Sequence, residues 1–397
     1  MGKGSLVTLV EAPVRTRWMV AYALAMIGVA AGWFGPIQIL LPEQAARLAG
    51  GDGKESLLAL VTAIGAAASL VANPLWGALS DRLGSRRPIF VAGTVVGVAG
   101  LLVLSAADSR PLMIGGWVLV QIGLNGPLAA LAAMIGDRVP ERQRGTVGAL
   151  FGVAQIVGVV LGTALAVAVG QGAPGYLAVA VAVPALGAAL LLIHREPVRI
   201  SDRTALSLKW PGSQFAWAWL IRFLLNLVNA LVLVYLFYYL SDQVGVADAA
   251  TWVLVLTVVN VLFAGIFGFA GGVLSDRWQR RRIFVAVAAV VLAAGTALLA
   301  LVPVVAVAIV ASVLVGAGWG AYVAVDMAVI TQVLPDTETR ATMLGVANIA
   351  GTLPQLLAPV IAAPIVTRLG GYPTLYLLTA AIAVLALVCL PRLRALS

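Results

Sequence analysis

Apolar residues come in long unbroken runs along this chain, and polar residues gather in short breaks between them. The runs fall near 18–41, 56–79, 88–107, 111–135, 146–169, 175–193, 215–240, 250–274, 283–302, 304–333, 341–367 and 371–391. Each holds about 18 or more residues, enough for a helix to cross roughly 30 Å of hydrocarbon. The pattern predicts an all-α integral membrane protein of twelve transmembrane helices, since a helix satisfies its own backbone groups where water is absent. The longest polar stretch, 194–214, divides the spans six and six. We expect an N-terminal six-helix bundle over 1–193, a linker over 194–214 and a C-terminal bundle over 215–397.

The breaks themselves repeat. Gly77-Ala78-Leu79-Ser80-Asp81-Arg82-Leu83-Gly84-Ser85-Arg86-Arg87 returns about half a chain later as Gly272-Val273-Leu274-Ser275-Asp276-Arg277-Trp278-Gln279-Arg280-Arg281-Arg282. After the fourth span comes Pro140-Glu141-Arg142-Gln143-Arg144-Gly145-Thr146, and after the tenth Pro335-Asp336-Thr337-Glu338-Thr339-Arg340-Ala341-Thr342. A duplicated charged hairpin inside a duplicated hydropathy pattern marks a transporter built from two parallel halves. Gly77 and Gly272 are expected to admit a close neighbouring helix. Asp81 and Asp276 are expected to meet a helix N-terminus or an Arg of the segment after span 4 or 10, Arg144 or Arg340. With Arg82, Arg86, Arg87, Arg277, Arg281 and Arg282 they form a candidate gating cluster.

Composition narrows the class further. Hydrophobic residues are 62% and charged residues 10% of the chain, which excludes an ordinary soluble protein. The net charge of +9 suggests nucleic acid until its placement is read. All Lys and Arg except Arg47, Lys54, Arg110, Arg222 and Arg368 fall in 1–17, 80–87, 136–145, 194–214, 275–282, 334–340 and 392–397. Those segments share one side of an even-numbered bundle, so the charge follows the positive-inside rule and puts both termini in the cytoplasm. No nucleic-acid partner is expected; the partners are the bilayer and a small solute, with the chain working as a monomer in the cell membrane. The single Cys389 and single His194 exclude disulfides, cysteine metal clusters and a histidine relay in the core. No cofactor, metal or enzyme constellation is present in the sequence, and no phosphate-binding Gly-rich loop followed by Lys-Ser/Thr exists for ATP.

The hairpins, the twelve spans and the six-plus-six split together resemble the major facilitator superfamily over essentially the whole chain. That resemblance implies two bundles rocking about a central site, with spans 1, 4, 7 and 10 lining the cavity. Gln279 stands where the first hairpin has Gly84. Three shorter stretches are similar to the sucrose–proton and glycoside–cation symporters within it. They are Gly35-Pro36-Ile37-Gln38-Ile39-Leu40-Leu41-Pro42, Asn73-Pro74-Leu75-Trp76-Gly77 and Gly345-Val346-Ala347-Asn348-Ile349-Ala350-Gly351-Thr352-Leu353-Pro354-Gln355. Span 4 departs from the sucrose symporters: it offers Gln121 and Asn125 and no charge before Asp137.

Charges inside the hydrocarbon mark function. Away from span ends there are two, Arg222 in span 7 and Asp326 in span 10. At 1.5 Å per residue they lie about 12 and 13 Å from the same surface, a matched depth that predicts an ion pair and a proton-coupling switch. Asn226 and Asn229 share a helical face with Arg222, and Trp319 and Tyr322 share one with Asp326. Gln121 with Asn125, and Asn348 with Thr352 and Gln355, form further faces, joined by Gln38, Gln155, Asn260 and the deep Trp33. Such a lining suits a polar, uncharged, hydroxyl-rich solute such as a sugar, carried by proton symport. The competing expectation is drug or metabolite efflux by proton antiport. Span 5 has Gly148, Gly152, Gly158 and Gly162 but lacks the proline that usually accompanies that class.

Overall fold

The structure, a computed structural model, describes residues 13–50, 53–194, 212–278, 280–333 and 340–393. Among them are twelve helices long and apolar enough to cross a membrane. The helices are α1 (Thr16–Ala49), α2 (Lys54–Leu83), α3 (Arg87–Ala106), α4 (Arg110–Arg138), α5 (Glu141–Ala168) and α6 (Ala173–Ile193). The second set is α7 (Ser213–Val234, prolonged to Val244), α8 (Ala249–Trp278), α9 (Arg281–Leu301), α10 (Val305–Gln332), α11 (Arg340–Arg368) and α12 (Gly371–Cys389). Residues 195–211, most of the expected linker, lie outside the described residues.

Each set of six packs mainly on itself. With lipid as apolar as the side chains, close packing rather than hydrophobicity joins membrane helices, and small residues permit it. A Cβ on Gly123 would run into the backbone of Gly97, binding α4 to α3, and one on Gly320 would meet the backbone of Ala264, binding α10 to α8. Gly84 closes α2 in the left-handed region at φ 64°. Asp248 caps the start of α8: its Oδ1 accepts the Thr251 N–H at 3.0 Å. Hydrogen bonds from Thr251 hold its carboxyl below the ordinary carboxylate range.

The first and seventh helices are irregular toward the side poor in arginine. In α1 the chain passes through a π turn at Pro36–Leu40, whose Leu41 N–H reaches the Pro36 carbonyl, and resumes to Ala49. Pro36 lacks an N–H and its ring crowds the preceding turn, so the helix is loosened there. Span 1 therefore runs eight residues beyond the 41 expected from hydropathy, carrying Glu43 and Arg47 with it. In α7 the helix breaks at Tyr235 and ends in a second π turn, Tyr239–Val244.

These irregular ends hold the halves together. The Tyr238 hydroxyl donates to the Pro42 carbonyl at 2.6 Å, and Tyr235 donates to the Glu55 carbonyl at 2.8 Å. Lys54 pairs with Asp242 at 2.6 Å and lies 4.8 Å from the Tyr238 ring centroid. From the start of α12, the Tyr372 hydroxyl sits 3.0 Å from Asp242 and 3.2 Å from the Glu55 carboxylate. On the arginine-rich side the described hydrogen bonds and ion pairs run within a half. There Gly77, Gly148, Gly152 and Gly265 have nothing within 4 Å of where a Cβ would stand. The molecule is closed on the arginine-poor side and parted on the other.

Lys54→Gln removes the cation of this clasp, a partly exposed pair worth about 1 kcal/mol. With Cys389 replaced and spin labels on Asp108 and Ala247, the variant should raise the population open on the arginine-poor side about fivefold. An unchanged distance distribution would show that the clasp does not hold the closed state.

Candidate functional site

Two helices from the second half bring opposite charges together in the membrane interior. Arg222 Nη1 of α7 donates to Asp326 Oδ2 of α10 at 2.5 Å. The two side chains keep only 11% and 13% of their exposure. The other carboxylate oxygen, Oδ1, accepts the hydroxyl of Tyr322, one turn earlier on α10, at 2.6 Å. Both oxygens thus face donors, an arrangement suited to the ionised carboxylate. Neither charge is tolerable alone at this depth, because breaking a buried pair leaves an uncompensated ion.

The pair opens onto one face of α11. Arg222 Nη2 lies 3.5 Å from Asn348 Oδ1, and Nη1 also approaches Met327 Sδ at 3.6 Å. Asn226 turns its amide nitrogen to the Arg222 carbonyl at 2.8 Å. A Cβ on Gly351 would stand 3.9 Å from both Arg222 Nη2 and Asn226 Oδ1, so this glycine leaves room over the two groups. Asn348, Thr352 and Gln355 are exposed along the same face. Trp319 packs on Tyr322 with ring centroids 5.7 Å apart. Arg222 Nε is buried without a partner among the described residues.

The amides expected in the first half have other engagements. Asn125 is buried and held by α2: it donates to Ser69 Oγ at 2.7 Å and accepts from Asn73 at 3.0 Å. Gln38 is also buried; its Oε1 accepts from Thr163 of α5 at 2.8 Å and from Thr257 of α8 at 3.2 Å. Asn260 reaches the Ser312 carbonyl at 3.4 Å, and its backbone packs on Gly316. These three join helices rather than offer open donors. Gln121, Gln155 and Asn229 are half-buried and make no side-chain hydrogen bond among the described residues. Trp33 is half-buried with its indole nitrogen unpartnered among them. Hydroxyl partners such as Ser69, Thr163 and Thr257 carry no distinctive sequence signal, which is why the sequence overstates the number of free amides.

The duplicated hairpins act inside each half in this conformation. Arg86 bridges Asp81 at 2.8 Å and Asp137 at the end of α4 at 2.9 Å. Arg281 occupies the matching place and bridges the Ala328 carbonyl at 3.2 Å and Gln332 at 3.0 Å at the end of α10. Arg144 donates to the Val139 and Gly136 carbonyls. Gly77 does not take the close neighbour expected of it, and Gly272 meets only Ala324 Cβ at 4.0 Å, because the arginine-rich side is open. Arg82, Arg87 and Arg277 are exposed, and the side chains of Asp276 and Arg340 lie outside the described residues. No three His, Cys, Asp or Glu side chains gather to hold a metal among the described residues.

A search of curated protein sequences gave no significant match. Among solved structures, the nucleoside transporter NupG, in a mutant form, is similar with a TM-score of 0.76 at 12% identity, over 95% of this chain and 100% of that one. A bacterial homologue of the human lysosomal transporter Spinster, inward-facing and occupied, gives 0.74 at 17% identity, over 96% of each chain. The same homologue, inward-facing and unoccupied, gives 0.63 at 17% identity over 96% of this chain and 94% of that one. At these identities the likeness is one of fold. The profile of the Major Facilitator Superfamily matches residues 46–258 and 218–396, and the chain is a membrane transporter of that superfamily.

Proposed function

We propose that this transporter moves a small, polar, hydroxyl-bearing solute across the cell membrane by alternating access, coupled to protons through Asp326. The observation that carries the reading is the Arg222–Asp326–Tyr322 cluster facing Asn226, Asn348 and the space over Gly351. Sugars and nucleosides both belong to the solute class; the second is what the NupG likeness suggests. Arg222 and the open amides supply hydrogen bonds to hydroxyl and carbonyl groups, while Trp319 and Trp33 supply flat apolar surface.

The coupling follows from electrostatics. In the conformation open on the arginine-rich side the Asp326 carboxylate is paired with Arg222. Drawing Arg222 away leaves its charge in low dielectric, where taking up a proton is the cheaper outcome. A proton bound on one side and released when Arg222 returns would be carried across with the solute. The polar groups lie chiefly in the second half, since Gln38 and Asn125 are engaged in helix packing. That asymmetry favours a second reading, proton-driven export of an amphipathic solute.

Purified protein in liposomes with an internal pH dye tests both. Uridine, adenosine, glucose and sucrose are offered beside the hydrophobic cation rhodamine 6G. Proton movement driven by a nucleoside or sugar, and lost in Asp326→Asn while solute exchange persists, is the expected result. Proton movement with rhodamine 6G alone would transfer the protein to the export class, and coupled movement that survives Asp326→Asn would remove this carboxylate from the mechanism.

Stability reports the pair separately. Arg222→Gln should cost about 3 kcal/mol by stranding Asp326, and adding Asp326→Asn should restore most of it. Thermal unfolding followed by tryptophan fluorescence measures both variants; equal losses in the single and double variants would show that the charges do not depend on each other.

A further inference from the structure

Away from the central site, the outer surface of the second half carries a crevice of about 290 Å³ between α9 and α12. Its walls are Arg282, Ile283 and Ala286 from the first turns of α9, with Leu387, Leu390 and Pro391 from the end of α12. All but one of these side chains are apolar. The exception, Arg282, has no carboxylate partner among the described residues. Its neighbour Arg281 is already turned inward to Ala328 and Gln332 of α10.

The start of α9 is also uncapped. The N-cap position is Arg280, which makes no side-chain cap bond and has no side-chain acceptor to offer. The Ile283 N–H is taken by the Arg280 carbonyl at 3.1 Å, so the Arg281 and Arg282 N–H groups and the positive end of the helix dipole are what favour an anion there. Three arginines in sequence, Arg280, Arg281 and Arg282, place this turn at the arginine-rich membrane surface, the level of phospholipid phosphates.

We propose that the crevice binds one anionic phospholipid. The phosphate sits at Arg282 and the uncapped turn, and the upper part of an acyl chain lies along Ile283, Ala286 and Leu387. Charge complementarity selects the headgroup, and the apolar walls select a lipid over a free ion. A crevice of this size against α9 and α12 fits one chain segment, so the expected stoichiometry is one. The assignment does not depend on the transported solute.

Native mass spectrometry of the full chain in detergent, titrated with 1-palmitoyl-2-oleoyl phosphatidylglycerol or the corresponding phosphatidylcholine, tests it. Wild type should retain one phosphatidylglycerol preferentially. Arg282→Gln should weaken that binding about fivefold, the effect of one cation at the surface. Ala286→Phe, which fills the crevice and leaves the charge, should weaken it as well. An Arg392→Gln control, whose arginine packs over the Trp217 ring outside the crevice, should leave it unchanged. Equal retention of the two lipids, or equal binding in wild type and both crevice variants, would overturn the site. Displacement by millimolar inorganic phosphate would do so too, by assigning the arginine to a free anion.

Discussion

A charge held in hydrocarbon must have a counter-charge or a proton, and that constraint organises this molecule. Arg222 and Asp326 meet at 2.5 Å, each largely buried, on helices α7 and α10 that come from separate places in the second half. The pair fixes the relative rotation of those helices and turns Asn226, Asn348 and Gly351 toward one space. Because each ion is tolerable only with its partner, any movement that separates them must supply a proton or a substrate group in exchange. A membrane interior thereby converts a helix displacement into a chemical requirement.

Separating Arg222 from Asp326 is a shift of α7 against α10 inside the second half, and the rest of the fold governs how the two halves meet. Small residues lock helices within a half, as Gly123 does against Gly97 and Gly320 against Ala264. Arg86 with Asp137, and Arg281 with Gln332, tie the hairpins to their own bundles at matching positions. The halves themselves are joined by groups at the irregular ends of α1 and α7, with Lys54, Glu55, Asp242 and Tyr372. Two bundles joined by a polar clasp on one side suit rocking about a central site.

Much of this was legible in the sequence because the signals are local. Hydropathy gave twelve spans close to those observed, and the paired hairpins gave the duplication. The Arg222–Asp326 contact followed from two residues at matched depth, since a lone charge there has few alternatives. Rotation about the helix axis was less accessible. Asn125 and Gln38 read as open amides until Ser69, Thr163 and Thr257 were seen against them. The clasp was missed for a different reason: Lys54 and Glu55 look like loop charges, and Tyr235 and Tyr238 look like interfacial aromatics. The continuation of α1 through Pro36 to Ala49 adds the Pro42 carbonyl to that cluster.

The most direct test is the protonation of Asp326 itself. Infrared difference spectroscopy on oriented membranes, comparing wild type with Asp326→Asn, isolates the carboxyl C=O stretch of this residue. When the clasp is released by Lys54→Gln, a protonated-carboxyl band should appear in the wild-type background and be absent when Asp326 is Asn. A carboxyl that stays ionised in both conformations would contradict the account, because separation from Arg222 would then occur without a proton.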